Sequence, residues 1–209
     1  MIDVRSYDLE DFSIFYSEKE SDFCIWQPDK TYIILGRSNR IAKDSVHANK
    51  AIENGVDIYK RPSGGEAVIL TPDTLVISVK LPIDNTIKTH HYFKLINNSI
   101  IAALIDLGIK QLGNKGISDI SIGIKKILGS SIYRKQKTIF YHAVLNVSEP
   151  IETISMYLKY PKKEPDYRGG RDHHEFVTSL KQEGYEIPIK QLSNEISSSI
   201  NKLITTPTK

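Results

Sequence analysis

"YKRPSGGEAVILTPDTLVISVKLP", residues 59–82, holds the pattern that decides the fold. A strand-like run, "VDIYKR", stops at a serine and two glycines; "EAVIL" follows, then Thr-Pro-Asp, then "TLVISVKLP". Short runs rich in Val and Ile between Gly and Pro read as strands, and the Thr-Pro-Asp break predicts a hairpin between the last two. Strands that follow one another with no helix between them argue for an α+β fold rather than a doubly wound parallel sheet.

The flanks extend this pattern. Upstream, "FCIWQPDKTYIILGRSN" (23–39) reads as two short strands about a Pro-Asp turn, with Gly36 ending the second, and "KDSVHANKAIENG" (43–55) as a helix closed by Gly55. Downstream, Phe93, Ile96, Ile100, Ile101 and Leu104 recur at helical spacing, with Gly108 just past the end. "DISIG", "KKILGSSIYR" and "TIFYHAVLNVS" then read as three strands joined by tight turns. "PIETISMYLK" reads as a helix with proline in its first turn, and a last helix over about 189–204 carries Leu192, Ile196, Ile200 and Leu203 on one face. The expected fold is a mixed, mostly antiparallel sheet with helices on one side.

The 209 residues, 40% apolar and 25% charged, suit one globular domain, and no linker rich in Pro, Gly or Ser divides them. A net charge of +3 is too weak to point to nucleic acid, but it is compatible with an acidic protein partner. Cys24 is the single cysteine, which excludes an intramolecular disulfide and a cysteine-based zinc site. It reads as a small buried apolar residue. The N-terminal stretch lacks a basic start and a long apolar run, so neither a signal peptide nor a membrane span is indicated, and a cytoplasmic location is expected.

Two glycine turns beside cations stand out, "KRPSGG" (60–65) and "KKILGSS" (125–131). Glycines let backbone N–H groups approach an anion, and the cations supply counter-charge. The residues alone leave a solvated turn equally open. In "PDYRGGRDHHEFVTSL" (165–180), Asp172 reads as a helix cap, and Arg168 and Arg171 as substrate or carrier contacts.

Read together, these stretches resemble the lipoate-protein ligase family, which includes octanoyl and lipoyl transferases and is more distantly similar to biotin-protein ligases. The first signature stands here as Lys60-Arg61-Pro62-Ser63-Gly64-Gly65-Glu66-Ala67-Val68, and the second as Ser118-Asp119-Ile120 followed by Lys126-Ile127-Leu128-Gly129-Ser130-Ser131. The third is the His142 strand, "FYHAVLNV". The resemblance runs from about residue 25 to residue 160.

It implies a biotin/lipoate ligase-like catalytic domain spanning 1–209, with no separate C-terminal accessory domain. It also implies activation of lipoate or octanoate by ATP with Mg2+, and transfer of the acyl group to a lysine of an acidic carrier domain. Either a separate accessory subunit helps form the adenylate, or the domain works alone as a ligase or on a preactivated donor; nucleic acid and membrane are not expected partners. Lys126 takes the catalytic role, holding carboxylate and phosphate oxygens. Lys60, Arg61, Ser63, Gly64, Gly65, Ala67, Asp119, Gly129, Ser130 and His142 take binding roles, and no metal is held by side chains. Arg61 would offer a fork of donors, His142 would lie near the reacting carbonyl, and the hairpin would line an acyl slot.

The chain differs from the family pattern where Glu66 replaces a third glycine, Leu70-Thr71 the usual His-Asp or His-Gly, Ser118 an asparagine and Ala143 a glycine. The alternatives are a non-catalytic acyl-binding relative, a transferase working from a preactivated donor, and biotin ligation. A cysteine-based transferase would have only Cys24 to use.

Overall fold

The structure, a computed structural model, describes residues 3–39 and 42–205. In chain order these form β1 (Arg5–Ser6), a 3-10 helix (Glu10–Tyr16), β2 (Asp22–Trp26), β3 (Tyr32–Leu35), α1 (Ala42–Ser45), α2 (Ala48–Glu53) and β4 (Asp57–Lys60). After these come β5 (Val68–Leu70), β6 (Thr74–Pro82), α3 (Thr89–Asp106), β7 (Leu112–Lys115), β8 (Asp119–Ile122), β9 (Lys125–Lys135) and β10 (Thr138–Asn146). The chain continues with α4 (Ile151–Tyr157), a 3-10 turn (Asp166–Arg168), α5 (His173–Phe176) and α6 (Ile189–Thr205). Among the described residues no helix is long and apolar enough to cross a membrane.

The strands make two sheets, one of four strands ordered β1-β4-β3-β5 and one of six ordered β2-β6-β10-β9-β8-β7. The larger is antiparallel throughout, and the smaller is mixed. The α+β expectation therefore holds. The hairpin does not: β5 pairs with β3, while β6 is enclosed by β2 and β10. With both edges of β6 taken, β5 has no strand edge to join there. Thr71 and Thr74 close the turn on themselves, through Thr74 N to Thr71 O at 2.9 Å and Thr71 N to Thr74 Oγ1 at 3.0 Å, and the chain steps from one sheet to the other.

Strand period two sorts the core. On β6 and β10, Leu75, Ile77, Val79, Ile139, Tyr141 and Leu145 face α3 and α6. Val76 and Phe140, on the opposite face, meet the small sheet and the first 3-10 helix. The helical face read from sequence is the one that is buried, since Leu192, Ile196 and Ile200 are fully enclosed. Each such side chain stabilises by roughly 1.5–3 kcal/mol relative to exposure.

The predicted helix over 43–55 is broken into two. Val46 pairs with Leu158 and His47 N donates to Tyr157 O at 2.8 Å, so tertiary pairing with the end of α4 overrides local helix continuity. Asp172 does cap α5, accepting from Glu175 N at 2.9 Å.

Candidate active site

A cleft of about 890 Å3 opens between the two sheets. Its floor is the face of the large sheet that carries Val76, His142, Val144 and Gly129; its roof is the glycine loop with Val68 and Leu70 of β5. The apolar slot expected from a hairpin therefore lies between facing strands of different sheets.

The roof is built around Arg61. Its guanidinium is buried and donates to Ser63 Oγ (3.0 Å), Ile34 O (3.2 Å), Gly64 O (2.9 Å) and Glu66 O (2.8 Å). Burial pushes its pKa down to about 10, still well above neutrality. Most of the fork expected to face a ligand is thus turned into the loop, and Arg61 shapes the roof. Gly36 packs against this loop so closely that a Cβ there would lie 1.9 Å from Gly65 O. Around Gly64, by contrast, an added Cβ would meet nothing within 4 Å, leaving open space beside the loop.

The floor carries the cation. Lys126 Nζ lies 2.9 Å from Asp119 Oδ1, and the other oxygen of this buried carboxylate accepts from Tyr167 OH at 2.8 Å. A β-bulge leaves Ile127 unopposed, since Ile120 faces Leu128 while Ser121 faces Lys126. Bulges of this kind re-aim side chains beside sites. Here Ile127 and Leu128 are both buried, and the lysine stem lies across Gly129, where a Cβ would sit 2.6 Å from Nζ. Ser130 Oγ donates to Ser118 O at 2.6 Å and ties β9 to the turn before Asp119.

Behind them, His142 Nε2 is hydrogen-bonded to Ser63 Oγ, which also contacts Ser131 Oγ at 3.0 Å. Burial, and secondarily the Arg61 charge, push the imidazole pKa down to about 3. His142 is therefore a neutral partner at physiological pH. In the unfolded chain it takes a proton below its ordinary value of 6.5. Its contribution to stability is complete above pH 6.5 and is withdrawn as pH falls from 6.5 towards 3. Buried Asp11, whose carboxyl burial pushes up, acts in the opposite sense and favours the fold as pH falls. Thermal melts across this range should show a shallower loss of Tm with acidification in His142→Asn than in the wild type.

The segment after α4 lines the cleft as well. Arg168 is buried between the rings of Tyr160 and Phe176, each 4.7 Å from its guanidinium carbon, and its Nη2 has no hydrogen-bond partner. His173 also lines the cleft, with its pKa pushed down to about 4 by burial and by Arg168. Cys24 is half-buried on β2, and burial with Asp11, Glu10 and Asp22 raises its thiol to about 12, which leaves no thiolate nucleophile.

The structure thus brings Arg61, Gly64, Gly65, Ala67, Asp119, Lys126, Gly129, Ser130 and His142 to one cleft. Ser63 lies behind it, and Lys60 turns away, its Nζ 3.3 Å from Asn39 O. Tyr167, Tyr7 and Glu149 line the cleft without having been foreseen. The run of arginines and histidines around Tyr167 marked its segment, but nothing in the sequence tied its hydroxyl to Asp119.

The family model for the lipoyl protein ligase A/B catalytic domain matches residues 12–201. A protein of Aeropyrum pernix named "Putative lipoate-protein ligase A" is 28% identical over 122 residues, 58% of this chain and 44% of that protein. The chain thus matches less than half the length of that curated relative. Among solved structures, a bi-partite lipoate protein ligase from Thermoplasma acidophilum, described with its E2 lipoyl domain, superposes with a TM-score of 0.78 at 19% identity. That superposition covers 95% of this chain and 76% of that one. A lipoate-protein ligase A crystallised with ATP gives a TM-score of 0.74 at 20% identity, covering 89% and 73%. At such identities these structures are evidence for a shared fold.

Proposed function

The chain belongs to the lipoyl protein ligase A/B catalytic domain family, and from that premise we propose that it activates lipoate, or octanoate, with ATP and transfers the acyl group to a lysine of an acidic carrier domain. The observation that carries this reading is the position of Lys126, a cation on the cleft floor opposite the glycine roof, with Asp119 as its resident counter-ion. An incoming carboxylate or phosphate exchanges with Asp119 as the partner of Lys126, and Asp119 keeps the Tyr167 hydroxyl. Attack of the acid on the α-phosphate expels pyrophosphate and gives the acyl-adenylate. Attack of the carrier amine on its carbonyl then expels AMP, and Lys126 stabilises the charge that develops in both steps.

The glycine-loop backbone is the further source of donors for phosphate oxygens on this reading. Among the described residues no group of three His, Cys, Asp or Glu could hold a metal. Mg2+ enters this reading with the nucleotide, because it needs only one or two carboxylates beside the phosphates. The raised thiol of Cys24 favours a ligase over a cysteine-based transferase. We place the reaction in the cytoplasm, where ATP is available and a lone thiol stays reduced. Residues 1–209 are taken as one catalytic domain, and the bi-partite character of the Thermoplasma relative favours an accessory subunit for the first step.

The test is the mass of an apo carrier domain incubated with the protein, given either ATP and lipoate or preformed lipoyl-adenylate. Gain of one lipoyl group in both arms supports a self-sufficient ligase. Gain from the adenylate alone assigns the first step to a missing subunit. Folded protein that modifies the carrier in neither arm contradicts the reading and leaves an acyl-binding relative.

A further inference from the structure

Glu66 stands where the family pattern has a third glycine, and its carboxylate is committed at both ends. Oε2 accepts from Asn39 Nδ2 at 3.1 Å and Oε1 from Lys163 N at 3.2 Å. Asn39 is itself immobilised, because its Oδ1 accepts from Gly36 N at 2.8 Å and its Nδ2 also donates to Ser45 Oγ at 2.7 Å. The carboxylate therefore joins a rigid corner of the small sheet to the segment 159–168. That segment lines the cleft and reaches its floor through Tyr167 OH and Asp119. Its start is tied to α1 through Lys162 Nζ and Asp44 Oδ2 at 2.6 Å. Arg61 beside the loop offsets the charge that Glu66 brings to the roof.

We propose that Glu66 is a latch: it fixes the strap 159–168 along the cleft before any ligand binds, so that the strap donors and Tyr167 are already positioned when substrate arrives. Its effect on the strap is independent of the ligase reading, and its effect on turnover rests on it. A glycine in the same place could offer the strap no acceptor beyond its own carbonyl.

Hydrogen exchange on the full chain without ligand tests the latch. In Glu66→Ala the amides of 159–168, Lys163 foremost, are expected to exchange about tenfold faster, as befits loss of a charge-assisted hydrogen bond. Amides of α3 and β10 should not change. Glu66→Gln should fall between, since its amide oxygen still accepts from Lys163 N while its NH2 group faces the Asn39 donor. Unchanged exchange in the strap would overturn the proposal, as would equal acceleration in α3 and β10, which would mark Glu66 as a general stability residue. In carrier acylation, Glu66→Ala should raise KM several-fold with kcat nearly kept, and Glu66→Gln should recover part of it. A fall in kcat at constant KM would instead place Glu66 in the chemistry and refute the latch. Should the wild type transfer nothing, the ligase reading fails while the exchange experiment still decides the latch.

Discussion

Lys126→Ala is expected to lower carrier acylation by at least about 100-fold, the range seen when a preorganised group facing developing charge is removed. The loss will be measured on folded protein, because Asp119 retains the Tyr167 hydroxyl at 2.8 Å and the Ser118 hydroxyl at 3.3 Å as donors. Lys126→Arg should not rescue. The ammonium lies against the Gly129 backbone, and a planar guanidinium has a different shape and needs more width than that crossing provides. Gly129→Ala supplies the complementary variant. Its added Cβ would stand 2.6 Å from Nζ and 2.7 Å from Cε, so the lysine stem must move while the strand itself is undisturbed. Acylation should fall in Gly129→Ala with little change in Tm, and retention of full activity there would contradict the placement of Lys126.

Gly36→Ala is expected to be the most damaging small substitution in the roof. The new Cβ would meet Gly65 O at 1.9 Å and Gly65 C at 2.9 Å, which are backbone atoms with no rotamer to yield. Moving the loop would strain the Arg61 bonds to Gly64 O and Glu66 O, and the bond from Arg37 N to Ser63 O at 2.9 Å. Overpacking of this kind costs about 3 kcal/mol. For a chain of this size that is a fall in Tm of roughly 6–12 °C, at 2–4 °C per kcal/mol. Gly64→Ala is the control, as nothing lies within 4 Å of its added Cβ, and its Tm should stay near that of the wild type.

What the sequence made legible follows how locally each feature is determined. Strands β4, β5, β6, β8, β9 and β10 and helices α3, α4 and α6 carry their own periodicity and stops, and they lie where those signals put them. Pairing is a global property. Nothing in "EAVILTPDTLV" says that β6 is enclosed by β2 and β10, which is what sends β5 to the other sheet. Strand β7, "LGNK", is polar, occupies a sheet edge and lies between positive-φ Gln111 and Gly116, so it has no strand signature of its own. At the candidate site, motif positions were readable and side-chain directions were not. Arg61 and Lys60 are adjacent cations in one motif, yet the first is buried under the loop and the second turns towards Asn39. Tyr167 was unreadable because its partner, Asp119, is 48 residues away in the chain.

The Thr71–Thr74 turn has a consequence for how the slot meets its occupant. Thr71 Oγ1 donates to the buried carboxylate of Glu149, and Glu149 N in turn donates to Asn146 Oδ1 at 3.0 Å at the end of β10. The crossing between the sheets is thereby clamped to the floor strand, and the clamp sets the gauge of the slot. Under the proposed ligase reading, an acyl chain that enters between the sheets meets walls already held together at this crossing. On that reading, differences in affinity between homologous acids follow desolvation, close to fourfold for each methylene at about 0.8 kcal/mol.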